Sequence, residues 1–198
     1  NEKGGEKMKR AAMLVIISIM FSFILSAPVI AADEDKILQE RYRIREMARD
    51  GLASLYEVNP VARFGIERAA GYGVFSTFGI KIFFAGGTNG QGVVHNSRTE
   101  RDTFMKMIGA QAGLGLGVKK DRVIWVFETE SALSNFVNSG WEFGGQMSAT
   151  AMVQNQGGTF AGAFSVAPGV FVYQLTETGL AAGLTVSGTK YYKNNELN

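Results

Sequence analysis

From Gly71 to the C-terminal tail, apolar and β-branched residues alternate with polar ones at a period of two, and glycine punctuates the alternation. This pattern limits the chain more than any other feature, because it suits strands and tight turns rather than long helices. The chain has 25 glycines against 3 prolines, which argues against disorder. Residues 72–78 and 80–85 read as strands, and Gly86-Gly87-Thr88-Asn89-Gly90 separates them from a strand at 92–96. The Asn-Gly pair predicts a hairpin loop there. A further strand, 103–118, sets Gly113, Gly115 and Gly117 on one face, where another backbone could approach closely. Lys119-Lys120-Asp121-Arg122 reads as a charged turn into a central strand at 123–127.

Helical spacing governs the region before Gly71. Across 36–56, Ile37, Ile44, Met47, Ala48, Leu52 and Leu55 form an apolar stripe, while Arg41, Arg43, Arg45 and Arg49 fill much of the remainder. Asn59-Pro60 introduces a second short helix over 61–70. After the central strand, Thr129 can cap a helix with Glu130 in its first turn and Leu133, Phe136 and Val137 on its apolar side, ending near Gly140. Beyond it, breaks at Gly144-Gly145, Gly157-Gly158, Pro168-Gly169, Gly179 and Gly188 divide several antiparallel strands. The expected fold is α+β: a curved antiparallel sheet or partly closed β-barrel, with N-terminal helices and one short inserted helix.

The N-terminus has a different character. Lys9 and Arg10 precede an apolar run over 11–25, and Ser26-Ala27-Pro28-Val29-Ile30-Ala31 then supplies a breaker and small residues. That layout predicts a cleavable secretory signal, cut after Ala31 or Ala32, and the run falls short of the roughly 20 apolar residues of a membrane span. We therefore expect residues 1–31 to be an extension plus signal, residues 32–198 to form a single domain, and the product to be exported to the periplasm or cell envelope. Without residues 1–31 the chain keeps 16 basic and 16 acidic residues. A neutral domain is a poor general nucleic-acid binder. An exported domain without cysteine holds together without disulfides, and thiolate metal sites and thiol nucleophiles are excluded.

The chain carries few residues arranged for chemistry. Gly87-Thr88-Asn89-Gly90-Gln91-Gly92 has neither dinucleotide nor nucleotide-loop spacing, and a strand follows it rather than a helix. His95 is the single histidine, and no nucleophile-elbow motif surrounds any serine. Glu128 and Glu130 flank a strand-to-helix turn on which their side chains diverge. No catalytic residue, metal site or cofactor is expected.

The order of segments resembles the SYLF domain family over nearly all of residues 36–193. The resemblance rests on Tyr56-Glu57-Val58-Asn59-Pro60, on Gly71-Tyr72-Gly73-Val74-Phe75-Ser76 leading to Lys81 and Gly86-Gly87, and on Gly90-Gln91-Gly92-Val93-Val94. It continues through Gly109-Ala110-Gln111-Ala112-Gly113, Val126-Phe127-Glu128-Thr129 with Ala132-Leu133 and Phe136, Gly140-Trp141-Glu142-Phe143-Gly144, and Gly179-Leu180-Ala181-Ala182-Gly183-Leu184. The resemblance implies binding rather than catalysis. Eukaryotic members bind phosphoinositide membranes, partly through an amphipathic N-terminal helix and basic residues, and a subset bind actin; exported bacterial members look like periplasmic or envelope proteins. Gln146 departs from the acidic residue many relatives carry after the Gly-Trp segment, and an exported chain meets neither cytosolic phosphoinositides nor actin. The expectation is a non-catalytic lipid- or membrane-surface-binding module whose partner is an anionic lipid or membrane surface, or an unidentified envelope protein. Its candidate contacts are Ile37, Arg41, Ile44, Arg45 and Arg49 on the first helix and Lys119, Lys120 and Arg122 on the turn. The alternative is a structural envelope protein, such as a small outer-membrane barrel, although the chain ends Glu196-Leu197-Asn198 without a terminal aromatic.

Overall fold

The computed structural model describes residues 27–142, 153–154, 157–181 and 188–198. Its contacts divide the chain into two units, 1–40 and 41–198. The described residues form three helices and a curled antiparallel sheet: α1 (Ala27–Val58), α2 (Ala62–Arg68), β1 (Gly71–Asn96), β2 (Arg101–Phe127), α3 (Glu130–Ser139), β3 (Trp141–Glu142), β4 (Val153–Gln154), β5 (Phe164–Ala167), β6 (Val170–Thr176), β7 (Gly179–Leu180) and β8 (Thr189–Lys193). This is the expected α+β class, with the sheet curled into a half-barrel.

The β1–β2 hairpin organises the second unit. One edge of β2 pairs with β1 from Gly71↔Phe127 to Asn96↔Arg101. Its other edge is shared, β8 taking Met105 to Gly109 and β6 taking Arg122 to Phe127. Two sequence expectations fail here. Gly86 to Gly90 are not a hairpin loop but lie inside one 26-residue strand, whose register shifts between Phe83 and Ala85. The turn comes after Asn96, whose Oδ1 accepts from the Arg98 and Thr99 amides at 3.0 and 2.8 Å, with Glu100 left-handed at φ 53°. Likewise, Lys119 to Arg122 are not a turn but part of β2. Asp121, within the run that reads as a charged turn, is 8 % exposed and accepts from Gln174 Nε2 at 2.7 Å.

The glycines of β1 serve a purpose other than turning. The strand folds back on itself, so a Cβ on Gly92 would stand 2.2 Å from the Val74 carbonyl oxygen, and one on Gly71 would stand 2.4 Å from that of His95. Backbone therefore packs on backbone without room for a methyl group. The close approach expected at Gly113, Gly115 and Gly117 concerns side-chain surroundings outside the described residues, as does Gln146.

Strand alternation sends the side chains of residues 123–127 in β2 to both faces, and both faces are covered there. Val123, Trp125 and Phe127 join Phe75, Tyr191 and Phe136 of α3 in an aromatic cluster, with the Trp125 ring 4.7 Å from Phe136 and 5.0 Å from Tyr191. Ile124 and Val126, both fully buried, take the other side of the strand. A lipid-facing barrel strand would leave one side apolar and open, so this stretch lacks that pattern. The short helices follow their sequence signals. Thr129 Oγ1 accepts from the Ala132 amide at 3.2 Å, and Gly140 ends α3 at φ 74°. Glu130 stands in the first turn, where an Arg98 hydrogen bond holds its carboxyl below the usual range.

This packing has two measurable consequences. Gly92→Ala should destabilise the fold by about 2 kcal/mol or more, the usual range for forcing atoms into filled space. An unshifted urea midpoint would show that β1 does not fold back so tightly. Burial also pushes the phenols of Tyr56 and Tyr173 up to about 12 and raises that of Tyr191. Their ordinary value is about 10, so the stability they confer is complete below that pH and lost as pH rises through 12. In an alkaline titration, late phenolate absorbance should coincide with loss of ellipticity; full ionisation of all tyrosines with the fold intact would contradict these burials.

Candidate membrane-facing surface

From Arg41 onward, α1 presents two faces with different partners. Ile44, Ala48 and Leu55 are 2 %, 5 % and 0 % exposed. Between them Gly51 brings the helix onto the sheet, its absent Cβ lying 2.9 Å from Val74 Cγ1 and 3.3 Å from Arg122 Cδ. Tyr42, Arg45 and Arg49 recur at helical spacing and are exposed, Tyr42 by 62 %.

The arginines are not equivalent. Arg41 Nε donates to the Leu197 carbonyl at 3.0 Å, and its guanidinium stands 5.9 Å from the Phe104 ring centroid. Arg45 lies 5.1 Å from the same ring and donates through Nε to Asp102 Oδ2 at 2.5 Å. Arg49 pairs with Glu46 along the helix. Arg43 points instead into a cleft of about 450 Å³ beside Met47, Phe78 and Lys106.

The structure places the candidate contacts in separate settings. Arg41 and Arg45 gather at Phe104, while Arg49 stays on the outer stripe. Ile44 is buried, so it is not available for insertion while α1 is docked. Ile37, in the first unit, is half-buried. Lys120 and Arg122 line a different cleft of about 410 Å³ that also holds Glu57, Asp121 and Glu177, a mixed rather than basic surface. The side chain of Lys119 lies outside the described residues. In sequence Arg43 is one helical arginine among four, and Lys106 is unmarked within a strand; only the docking of α1 brings them together.

His95 occupies a site that sequence reasoning sets aside. Its Nδ1 is 2.9 Å from Asp102 Oδ1 and its Nε2 is 3.5 Å from Glu100. Asp102 thus bridges His95 and Arg45, joining the hairpin to α1. A His–Asp pair is two-thirds of a nucleophilic triad. The small cleft alongside, lined by Arg49, Leu52, Tyr72 and Val93, offers no serine, threonine or cysteine. Burial raises the Tyr72 phenol, chiefly by desolvation. The arrangement is an ion-pair tether, and among the described residues no three metal-ligating side chains converge.

A family model described as "Las17-binding protein actin regulator" matches residues 108–198. Beta cell expansion factor A of Aeromonas veronii is 32 % identical over 166 residues, which cover 80 % of this chain and 59 % of that protein. The chain thus spans about three fifths of the length of this curated relative.

The tether should be measurable by a double-mutant cycle. Arg45→Ala, Asp102→Asn and the double variant, compared by urea unfolding, should couple by about 1 kcal/mol, the modest value reflecting the half-exposed guanidinium. Additive effects would mean that Arg45 and Asp102 do not hold α1 to the hairpin.

Proposed function

We propose, from the similarity of residues 108–198 to the family model and of the chain to beta cell expansion factor A, that this is a SYLF-type protein, an exported, non-catalytic module that attaches to anionic membrane surfaces at the cell envelope. SYLF domains are a family of binding modules, not known as enzymes. The observation that carries the membrane reading is the outer stripe of α1. Arg45 and Arg49 stand exposed on it, and the exposed Tyr42 provides an amphipathic ring beside them. Each basic residue near an anionic surface contributes on the order of 1 kcal/mol, and aromatic rings favour the interface. Attachment by this stripe leaves Ile44 and Leu55 in the core and requires no unfolding. The run over 11–25 with the cut after Ala31 or Ala32 supplies export, and N-terminal sequencing of the secreted product would locate that cut.

Co-sedimentation of the chain with vesicles tests the reading. Phosphatidylcholine vesicles should recover little protein, whereas vesicles containing phosphatidylglycerol should recover it at low salt and release it at high salt. Combining Tyr42→Ser with Arg49→Glu should weaken that binding by about tenfold or more. Undiminished binding by the folded variant would remove the stripe from the mechanism, and no binding of the parent chain to either vesicle would favour an envelope protein as partner.

A further inference from the structure

We propose that the cleft between Arg43 and Lys106 is a binding site for an oxyanion, a phosphate or carboxylate, carried on a short apolar group. The proposal rests on the membrane reading only for the source of such a ligand; the site itself follows from its lining. Arg43 comes from α1 and Lys106 from β2, with Ser76 and Asn89 adding polar groups and Met47 and Phe78 apolar ones.

The charge of this cleft sets it apart. Neither aspartate nor glutamate lines it, whereas Glu57, Asp121 and Glu177 line the neighbouring cleft and Asp102 lines the small one. Two cationic side chains line this partly enclosed space and no acid stands among its lining residues, a composition that favours an anion. A guanidinium can grip two oxygens of one anion, and the ammonium can approach as a point charge. Lys106 Nζ does pair with Glu196 at 2.9 Å, but that carboxylate side chain is 78 % exposed. An exposed pair of this kind is weak and easily exchanged for a better-held anion.

The remaining lining fits the other half of the ligand. Ser76 and Phe78 share one face of β1 by strand alternation, so a hydroxyl and an aromatic ring stand on the same wall. Phe78 is 38 % exposed, and the flexible thioether of Met47 can adapt to a chain laid beside it. The cleft volume of about 450 Å³ lies within the usual range of small-molecule sites, roughly 300–1,000 Å³. Inorganic phosphate would occupy only part of it.

Calorimetric titration of the full chain tests the proposal with three probes: dihexanoylphosphatidic acid below its micelle concentration, inorganic phosphate, and dihexanoylphosphatidylcholine. The short-chain phosphatidic acid should bind, and combining Arg43→Gln with Lys106→Gln should weaken it by about tenfold or more. Lys190→Gln, which removes a surface charge elsewhere, should not. Phosphate binding as tightly as the lipid would keep the oxyanion site but overturn the apolar half of the proposal. Equal binding of phosphatidylcholine, indifference to the double substitution, or no binding of either anion would overturn it altogether. Circular dichroism separates loss of binding from loss of fold. Vesicle sedimentation run on the same samples separates the two readings: vesicles retained without soluble-probe binding would refute the cleft alone, and the converse would refute the stripe alone.

Discussion

The fold depends on the contact of β1 with itself. Gly92 against the Val74 carbonyl and Gly71 against that of His95 let one half of the strand lie on the other. Because β2 pairs with β1 from one end to the other, with a single register shift between Phe83 and Ala85, it must curl with it. That curl brings Phe75 and Trp125 to the same aromatic cluster as Met105 and Met107, which lie in the other half of β2. It also explains how one strand edge serves two partners, β8 and β6, at its opposite ends. Side chains at the contact would hold the plies apart.

Magnitudes decide how α1 is held. Burying Ile44 and Leu55 contributes roughly 1.5–3 kcal/mol each, whereas the half-exposed Arg45–Asp102 pair adds about 1 kcal/mol at most. Apolar burial therefore docks the helix, and the arginines fix its rotation and end. Undocking it to insert Ile44 into a bilayer would forfeit the apolar burial that holds it, so the proposed attachment through the outward face would be energetically the easier route. The hydrogen bond of Arg41 to Leu197 and the tether at His95 act at the edges of this packing.

Much of this architecture is legible in the sequence because local signals and tertiary packing agree. Thr129, Glu130 and Gly140 bracket α3 as their chemistry predicts, and Pro168-Gly169 marks the turn between β5 and β6, with Gly169 at φ 69°. The stripe of Ile44, Ala48 and Leu55 names the buried face of α1. The hairpin is misplaced because glycine has two uses, turning and close approach, and sequence alone does not say that the second applies at Gly90 and Gly92. Lys119-Lys120-Asp121-Arg122 misleads for a related reason. A charged run is normally solvated, but Gln174 on β6 gives Asp121 a buried partner that no local pattern announces. The same limit hides the division among arginines: spacing places four on one helix, while only the fold assigns Arg41 and Arg45 to Phe104 and Arg43 to Lys106.

The two faces of the hairpin differ for a geometric reason. On the α3 side, rings of Trp125, Phe127, Phe136 and Tyr191 fill the concavity and leave Trp125 and Tyr191 without exposure. On the α1 side, a cylinder roughly 10 Å across rests on a curled sheet, and such surfaces cannot meet along their whole length. Gly51 marks the close approach, and clefts of about 450, 410 and 190 Å³ open where α1 and the sheet diverge. Their walls combine helix and strand residues distant in sequence, such as Arg43 with Lys106 and Glu57 with Asp121. Substitutions on those walls change charge without emptying the aromatic core, so the cleft-bearing face can vary while the aromatic face does not.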